Sequence, residues 1–239
     1  MHNNVPQTPA HCRLYAIGDI HGRKDLLDQL LNLINEDAKT AHGLDKILIL
    51  LGDYIDRGPD SQGVLDRLAD LQAGRILKGF KFHFLKGNHE EAMLSFLSSI
   101  DAKTWLSFGG QETVESYGLN AKQPPEVIRK TFLQAMPMTH RHILRDLEFR
   151  VVYGDYAFVH AGIRPGVSWA DQKPDDLLWI REDFCNFTQP FEYMMVHGHT
   201  PVQEPTIKAN RIAIDTRAWT SNLLSCLVLQ GTEQRFLQT

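Results

Sequence analysis

With 239 residues, of which 43% are hydrophobic and 23% charged, the chain is long enough to bury a sizeable core as one large α/β domain, and its balance excludes disorder and fibrous repeats. Twenty-five Lys and Arg stand against 29 Asp and Glu, a net charge of −4, which argues against a general nucleic-acid binder because such proteins neutralise phosphates with a basic excess. Small anionic substrates stay open, since a site can be locally positive. The longest apolar runs, Ile47–Leu51 and Leu223–Leu229, fall far short of the roughly 20 residues a spanning helix needs, so no membrane partner is expected.

Met1 to Ala10 contains Asn3, Asn4, Pro6, Gln7 and Pro9 without an apolar stretch. That reads as a flexible tail over residues 1–12 and not as a signal peptide, with a single domain over 13–239 and a cytoplasmic location. Cys12, Cys185 and Cys226 are odd in number, far apart and free of C-x-x-C spacing, so reduced thiols are expected.

Leu14–Ile17 predicts a short strand, and Leu26, Leu27, Leu30, Leu31, Ile34 and Ala38 recur at helical spacing. Ile47–Leu51 reads as a strand buried on both faces, followed by a helix carrying Val64, Leu65, Leu68 and Leu71. Phe80–Leu85 is a third strand and Glu90–Leu97 opens a third helix. This alternation favours a parallel sheet. Beyond it come a helix over Pro125–Ala135, a hairpin pairing Arg150–Tyr153 with Tyr156–His160 around Gly154-Asp155, and strands at Tyr193–Val196, Arg211–Ile214 and Leu223–Gln230. No linker or repeat divides the two halves, so one domain with two mixed sheets is the simplest account.

Each of the first three strands ends in a polar loop: Gly18-Asp19-Ile20-His21-Gly22, Gly52-Asp53-Tyr54-Ile55-Asp56-Arg57-Gly58 and Gly87-Asn88-His89-Glu90. Two later strands end in His160-Ala161-Gly162 and Val196-His197-Gly198-His199-Thr200-Pro201. Sites in open α/β sheets lie at the carboxyl ends of strands, so these loops should converge. A single Gly-Asp after a strand is more often a turn or helix cap, and a single buried His more often a satisfied core residue. Five such loops, each ending an apolar strand, make coincidence a poor explanation. Asp, Asn and His without thiolate suit hard or borderline divalent ions.

The Asp-x-His, Gly-Asp-x-x-Asp-Arg-Gly and Gly-Asn-His-Glu motifs make the chain resemble the phosphoprotein phosphatase branch of the calcineurin-like metallophosphoesterases, from Leu14 to about Gly231. It is most similar to the short bacterial and phage serine/threonine phosphatases, which share Gly-His-Thr-Pro and Ile-Asp-Thr segments. The resemblance implies an αββα sandwich with a dinuclear metal site at the C-terminal ends of strands, loaded with two divalent ions, Mn²⁺ first and Fe, Zn or Mg as alternatives. Asp19 and His21 would bind the first metal, Asp53 would bridge, and Asn88, His160 and His199 would hold the second. A metal-bridging hydroxide would attack phosphorus in line, His89 would protonate the leaving oxygen and Asp56 would orient His89. Arg57 and Arg181, in Leu178-Trp179-Ile180-Arg181, would grip the non-bridging oxygens of a phosphoprotein or small phosphorylated substrate.

Other histidines carry blander readings. His83 sits in an apolar strand, His140 and His142 flank Arg141 in a polar loop, and His2, His11 and His42 are read as exposed. His197 is placed by alternation on the same side of a strand as His199, with support of that ligand and simple burial both open. Three departures from the family pattern stand out. Pro201 replaces the second His of the Gly-His-x-His found in many phosphodiester-cleaving relatives, which favours a phosphomonoesterase. Lys86 replaces an Arg common in protein phosphatases, and Arg217 stands where related sequences usually have Gly. The alternative enzyme is a symmetrical diadenosine tetraphosphatase, whose third motif usually ends in Asp where this chain has Glu90. A catalytically dead binding module is disfavoured because all six ligands and His89 are present.

Overall fold

The computed structural model describes residues 5–98 and 104–239. Among these the chain runs β1 (Cys12–Ile17), α1 (Lys24–Ala38), β2 (Asp45–Leu50), α2 (Ser61–Gln72), β3 (Phe80–Phe84), α3 (Asn88–Leu97), a wide helical turn at Leu106–Gly110, α4 (Gln111–Ser116), α5 (Pro125–Ala135) and α6 (Met138–Arg145). It continues through β4 (Arg150–Tyr153), β5 (Tyr156–Val159), a short turn at Trp169–Asp171, α7 (Pro174–Trp179), α8 (Glu182–Cys185), β6 (Met194–His197), β7 (Thr206–Ile207), β8 (Arg211–Ala213), α9 (Ala218–Ser221), β9 (Ser225–Gln230) and β10 (Glu233–Gln238). Two five-stranded mixed sheets result, in the orders β10-β9-β1-β2-β3 and β4-β5-β6-β8-β7.

Period-two alternation sorts the side chains into layers. Tyr15, Ile17, Leu48 and Leu50 face outward and meet the apolar stripes of α1 and α2, including Leu27, Leu30, Ile34, Val64, Leu65 and Leu68. Their neighbours Leu14, Ala16, Ile47 and Ile49 face inward and pack on Tyr156, Phe158, Val196, Ile212 and Ile214 of the second sheet. That sheet's far face, with Ala157, Val159 and Met195, is closed by Leu177, Ile180 and Phe184. The arrangement is the expected αββα sandwich. β1, β2 and β3 are parallel, so the loops that follow them leave from one end of the sheet.

Several local readings change. The segment holding His140 and His142 is helical, as α6, and not a polar loop; His140 is buried and bonds Tyr117 Oη and Asp66 Oδ1, which satisfies both ring nitrogens. His11 and His42 are exposed, whereas His2 lies outside the described residues. His83 sits in β3 as expected, and its ring reaches Glu148 Oε1 and Tyr153 Oη. The segment read as a flexible tail is fastened where it is described: Gln7 O accepts from Asp155 N, Thr8 N donates to Gly231 O, and Gly231 N donates to Thr8 Oγ1. All three cysteines are free.

Candidate active site

The loops after β1, β2 and β3 are bonded into one unit by main-chain contacts. Ile20 N and His21 N both donate to Asp53 O, at 3.0 and 2.9 Å, and Gly22 N donates to Tyr54 O at 2.8 Å. Gly52, at φ 102°, comes so near Gly87 that an added Cβ would lie 2.5 Å from its nitrogen, so only glycine allows the second and third loops this approach. The buried Glu90 carboxylate then accepts from Asp53 N, Tyr54 N and Gly87 N at 2.8–2.9 Å. It is the clamp that holds the second loop to the third, a role the sequence did not disclose.

Asp53 lies at the centre. Its Oδ2 faces His21 Nε2 at 3.5 Å, and its Oδ1 faces His160 Nε2 at 3.4 Å. His21 Nδ1 lies 2.9 Å from Ile55 O and His160 Nδ1 2.9 Å from Leu51 O, contacts that place the ring proton on Nδ1 and leave Nε2 a lone pair turned toward Asp53. On the second side Asn88 Oδ1 is 2.9 Å from His160 Nε2 and 2.8 Å from His199 Nδ1. The His21 and His160 Nε2 lone pairs, set against the oxygens of Asp53 and Asn88, repel them unless a cation lies among them. Two buried groups, His21-Asp53-His89 and Asp53-His160-His199, share Asp53, each with one ligand atom per residue within 4.8 Å of the others. This donor set of imidazole and oxygen without thiolate fits the dinuclear divalent site that the resemblance implies.

Charge balance points the same way. Burial pushes His21 down to about 3 and His199 down to about 2, and it lowers His160 as well, so these rings are neutral, the form that ligates metal. Burial would raise Asp53, but the imidazoles around it, His160 first, hold it below the usual carboxylate range. Asp19 is pushed well up by burial and by the charges of Asp215 and Asp53, and Asp215 is pushed up to about 6 by burial. Three crowded carboxylates in a buried space call for positive charge.

Asp19 lies outside both groups and instead accepts from His199 N with both oxygens at 3.1 Å, linking the first loop to the one after β6. Gly198 makes room for it: a Cβ there would fall 2.1 Å from Asp19 Oδ1. β6 ends at His197, so the expected alternation stops, and His199 turns at φ 60° toward Asn88. His197 goes the other way, packing edge-on to Phe184 with ring centroids 5.0 Å apart. It belongs to neither metal group, and burial keeps it neutral at about 4.

His89 Nδ1 is 2.7 Å from Asp56 Oδ2, with both residues essentially inaccessible. Burial alone would lower this imidazole, but the Asp53 charge and the Asp56 hydrogen bond raise it above the ordinary value. Asp56 is fixed by partners that sequence reading missed: Trp105 Nε1 donates to both its oxygens, Thr113 Oγ1 donates to Oδ1 at 2.6 Å, and Ser61 Oγ accepts from Asp56 N. Trp105 and Thr113 lie 49 and 57 residues away, and only the aromatic-rich Trp105-Leu106-Ser107-Phe108 run before Gly109-Gly110 hinted at a structured element there. Arg57 spans the two sides, its guanidinium lying 3.2 Å from His21 Nε2 and 3.0 Å from His89 Nε2. Arg181 is exposed at the start of α8, and its positive charge disfavours protonation of His160 and His199.

Backbone strain gathers here. Of nine non-glycine residues with positive φ among those described, five are His21, Asp53, Asp56, Arg57 and His199. At roughly 1–2 kcal/mol each, such conformations persist only where surrounding bonds impose them, and they concentrate at functional sites.

Comparison with known proteins agrees with this geometry. The chain is 29% identical over 222 residues to serine/threonine-protein phosphatase 2 of Escherichia coli (strain K12), covering 89% of this chain and 90% of the relative. It is 27% identical over 218 residues to an asymmetrical bis(5'-nucleosyl)-tetraphosphatase of Anoxybacillus flavithermus, covering 84% and 83%. The crystal structure of a cold-active protein-tyrosine phosphatase of a psychrophile Shewanella sp. superposes with a TM-score of 0.57 at 16% identity, over 95% of this chain and 80% of that one, which speaks to the fold alone. The calcineurin-like phosphoesterase model matches residues 12–218, and the chain belongs to that family of hydrolases acting on phosphoester bonds.

Proposed function

We propose that residues 13–239 form the catalytic domain of a cytoplasmic, manganese-dependent phosphomonoesterase of the serine/threonine protein phosphatase kind. The observation that carries this reading is the placement of one imidazole, His89, against a buried carboxylate at 2.7 Å beside two ligand groups that share Asp53. Asp19, His21 and Asp53 would hold one ion, and Asp53, Asn88, His160 and His199 the other. When bound, the ions supply an activated hydroxide and neutralise phosphate charge. Asp56 keeps His89 Nδ1 engaged, so the proton available for the leaving oxygen is the one on Nε2. Arg57, which reaches both His21 and His89, would hold non-bridging oxygens between them, joined by Arg181, whose charge bears on His160 and His199. Pro201, with no donor atom in its side chain, supports monoester over diester cleavage.

A nucleotide polyphosphate hydrolase is the second reading, supported by the bis(5'-nucleosyl)-tetraphosphatase relative. Parallel kinetics on a phosphoserine peptide, diadenosine tetraphosphate and a simple aryl phosphate separate the two. Protein stripped with chelator should lose activity and recover it with Mn²⁺. No recovery on any substrate would overturn the phosphoesterase mechanism, and a tenfold preference for the dinucleotide, about 1.4 kcal/mol, would favour the second reading.

A further inference from the structure

Nine large hydrophobic residues are exposed among those described, and the three aromatic ones, Phe108, Trp179 and Trp219, all border the site. Phe108 packs against the His89 imidazole with ring centroids 5.0 Å apart, and Trp179 lies 6.1 Å beyond Phe108, tilted by 59°. Trp219 is on the other flank, under the Arg57 guanidinium at 5.5 Å. The Phe108 turn is tied to the arginine loop by Arg57 N donating to Gly109 O at 3.0 Å, so its ring is held beside the acid. Trp179 is likewise fixed in sequence, two residues before Arg181.

This inference rests on the acid role of His89 given above. A general acid must reach the leaving oxygen, so the group attached to that oxygen lies on the His89 side, where Phe108 and then Trp179 present open ring surface. An alkyl serine side chain offers nothing flat to match it, whereas a planar ring gains the offset or edge contacts that aromatic pairs prefer. We propose that Phe108 and Trp179 form a leaving-group platform that adds affinity for phosphate compounds whose leaving group carries a flat ring, alongside the alkyl phosphoesters of the reading above. Two sources share that chemistry. In an aryl ester the ring joins the leaving oxygen directly and would meet Phe108; in a nucleotide the base stands a ribose or more away and would meet Trp179. Trp219 braces Arg57, which holds phosphate whatever its leaving group, so its loss should weaken all substrates alike.

The test compares wild type, Phe108→Leu, Trp179→Leu and Trp219→Leu on phosphotyrosine and phosphoserine versions of one peptide and on diadenosine tetraphosphate, all with Mn²⁺. Phe108→Leu should lower the kcat/KM ratio of phosphotyrosine to phosphoserine roughly three- to tenfold, chiefly through KM. Trp179→Leu should do the same for the dinucleotide over phosphoserine, and Trp219→Leu should leave both ratios in place. Ratios unchanged within about twofold in both platform variants would overturn the proposal, as would a loss in kcat shared by every substrate, which marks Phe108 as mere support for His89. Calorimetry with phenylphosphonate and ethylphosphonate gives a readout independent of turnover. A preference of roughly three- to tenfold for the phenyl compound that Phe108→Leu abolishes supports the platform, and equal affinities in the wild type refute it. A protein that shows the phenyl preference but hydrolyses none of the esters would keep the platform and overturn the function instead.

Discussion

Replacing Glu90 by glutamine isolates the work of one carboxylate oxygen. Oε1 accepts from Tyr54 N at 2.8 Å and more distantly from Ile55 N at 3.4 Å, while Oε2 accepts from Asp53 N and Gly87 N at 2.9 Å each. Every partner is a backbone N–H, and the side chain is fully buried. Glutamine keeps one acceptor and turns an NH₂ toward the other pair of donors. Two buried amides then lack a partner at about 1–3 kcal/mol each, so Glu90→Gln should cost roughly 2–6 kcal/mol. For a chain of this size about 1 kcal/mol moves Tm by roughly 2–4 °C, which gives a drop on the order of 4–24 °C. Burial, and then the Asp53 charge, push this carboxyl up to about 8, yet a protonated oxygen would hold a hydrogen with no acceptor among its partners. The anion is the form that suits four donors. The assay is thermal unfolding by circular dichroism in chelator at pH 8.5, with Mn²⁺ affinity by calorimetry as the second readout. Because the released donors include either Asp53 N or that of its neighbour Tyr54, that affinity should fall roughly 10- to 100-fold, as for other changes behind a residue that would hold a metal. If the carboxyl were protonated, glutamine would be its near isostere. A Tm within about 2 °C of wild type together with unchanged Mn²⁺ affinity would therefore refute the clamp.

Three further outcomes follow from the same geometry. Asp56→Asn turns an amide toward Trp105 Nε1, Thr113 Oγ1 or His89 Nδ1, and should lower kcat on alkyl phosphates roughly 10²–10⁴-fold while sparing activated aryl phosphates and metal content; equal losses on both would remove His89 from the acid role. Gly198→Ala drives a Cβ into Asp19, and atomic absorption after Mn²⁺ loading should find fewer than two ions per chain, whereas two tightly held ions would show that Asp19 can move at no cost. Asp37 receives Tyr15 Oη, Arg13 and Arg235; burial would raise its carboxyl, but these bonds, Tyr15 first, hold it below the usual range. A depressed carboxylate stabilises fully above its unfolded value near 3.9 and loses that contribution as pH falls through the folded value, so the Tm gap between wild type and Asp37→Asn should be full at neutral pH and shrink below about pH 4. A gap constant from pH 7 to about pH 3 would contradict that linkage.

The elements read correctly from the sequence are those whose burial pattern is local. β1 and β2 alternate between two cores, α1 and α2 carry apolar stripes, and the Gly154-Asp155 turn lies between strands that pair as expected. β10 was missed because Glu-Gln-Arg-Phe-Leu-Gln has no clean apolar face; it is an edge strand held by pairing with β9 and by Arg235 on Asp37. α6 was missed for a related reason. Its polar sequence, Met-Thr-His-Arg-His-Ile-Leu-Arg, hides a buried stripe of His140, Ile143 and Leu144, and a histidine at a core position reads as polar until its partners Tyr117 and Asp66 are seen.

The site divides along the same line. The residues proposed to hold metal were legible because each follows a strand, so strand polarity alone brings them to one end of the sheets; the partners that fix Asp56 were not, because Trp105 and Thr113 reach it only through tertiary packing. Conformation is the second hidden layer. Arg217 stands out in the sequence as an arginine where relatives usually have glycine. In the structure it takes φ 56° and ψ 47° at the start of α9, with its N–H donating to the buried Asp215 at 2.8 Å. Glycine adopts that conformation without the roughly 1–2 kcal/mol an L side chain incurs, so the family preference has a backbone cause before any functional one. The same logic runs through His21, Asp53, Asp56, Arg57 and His199, where the side chain's chemistry cannot be replaced by glycine and the strain must instead be borne by the bonds around it, those to Glu90 and Asp19 foremost.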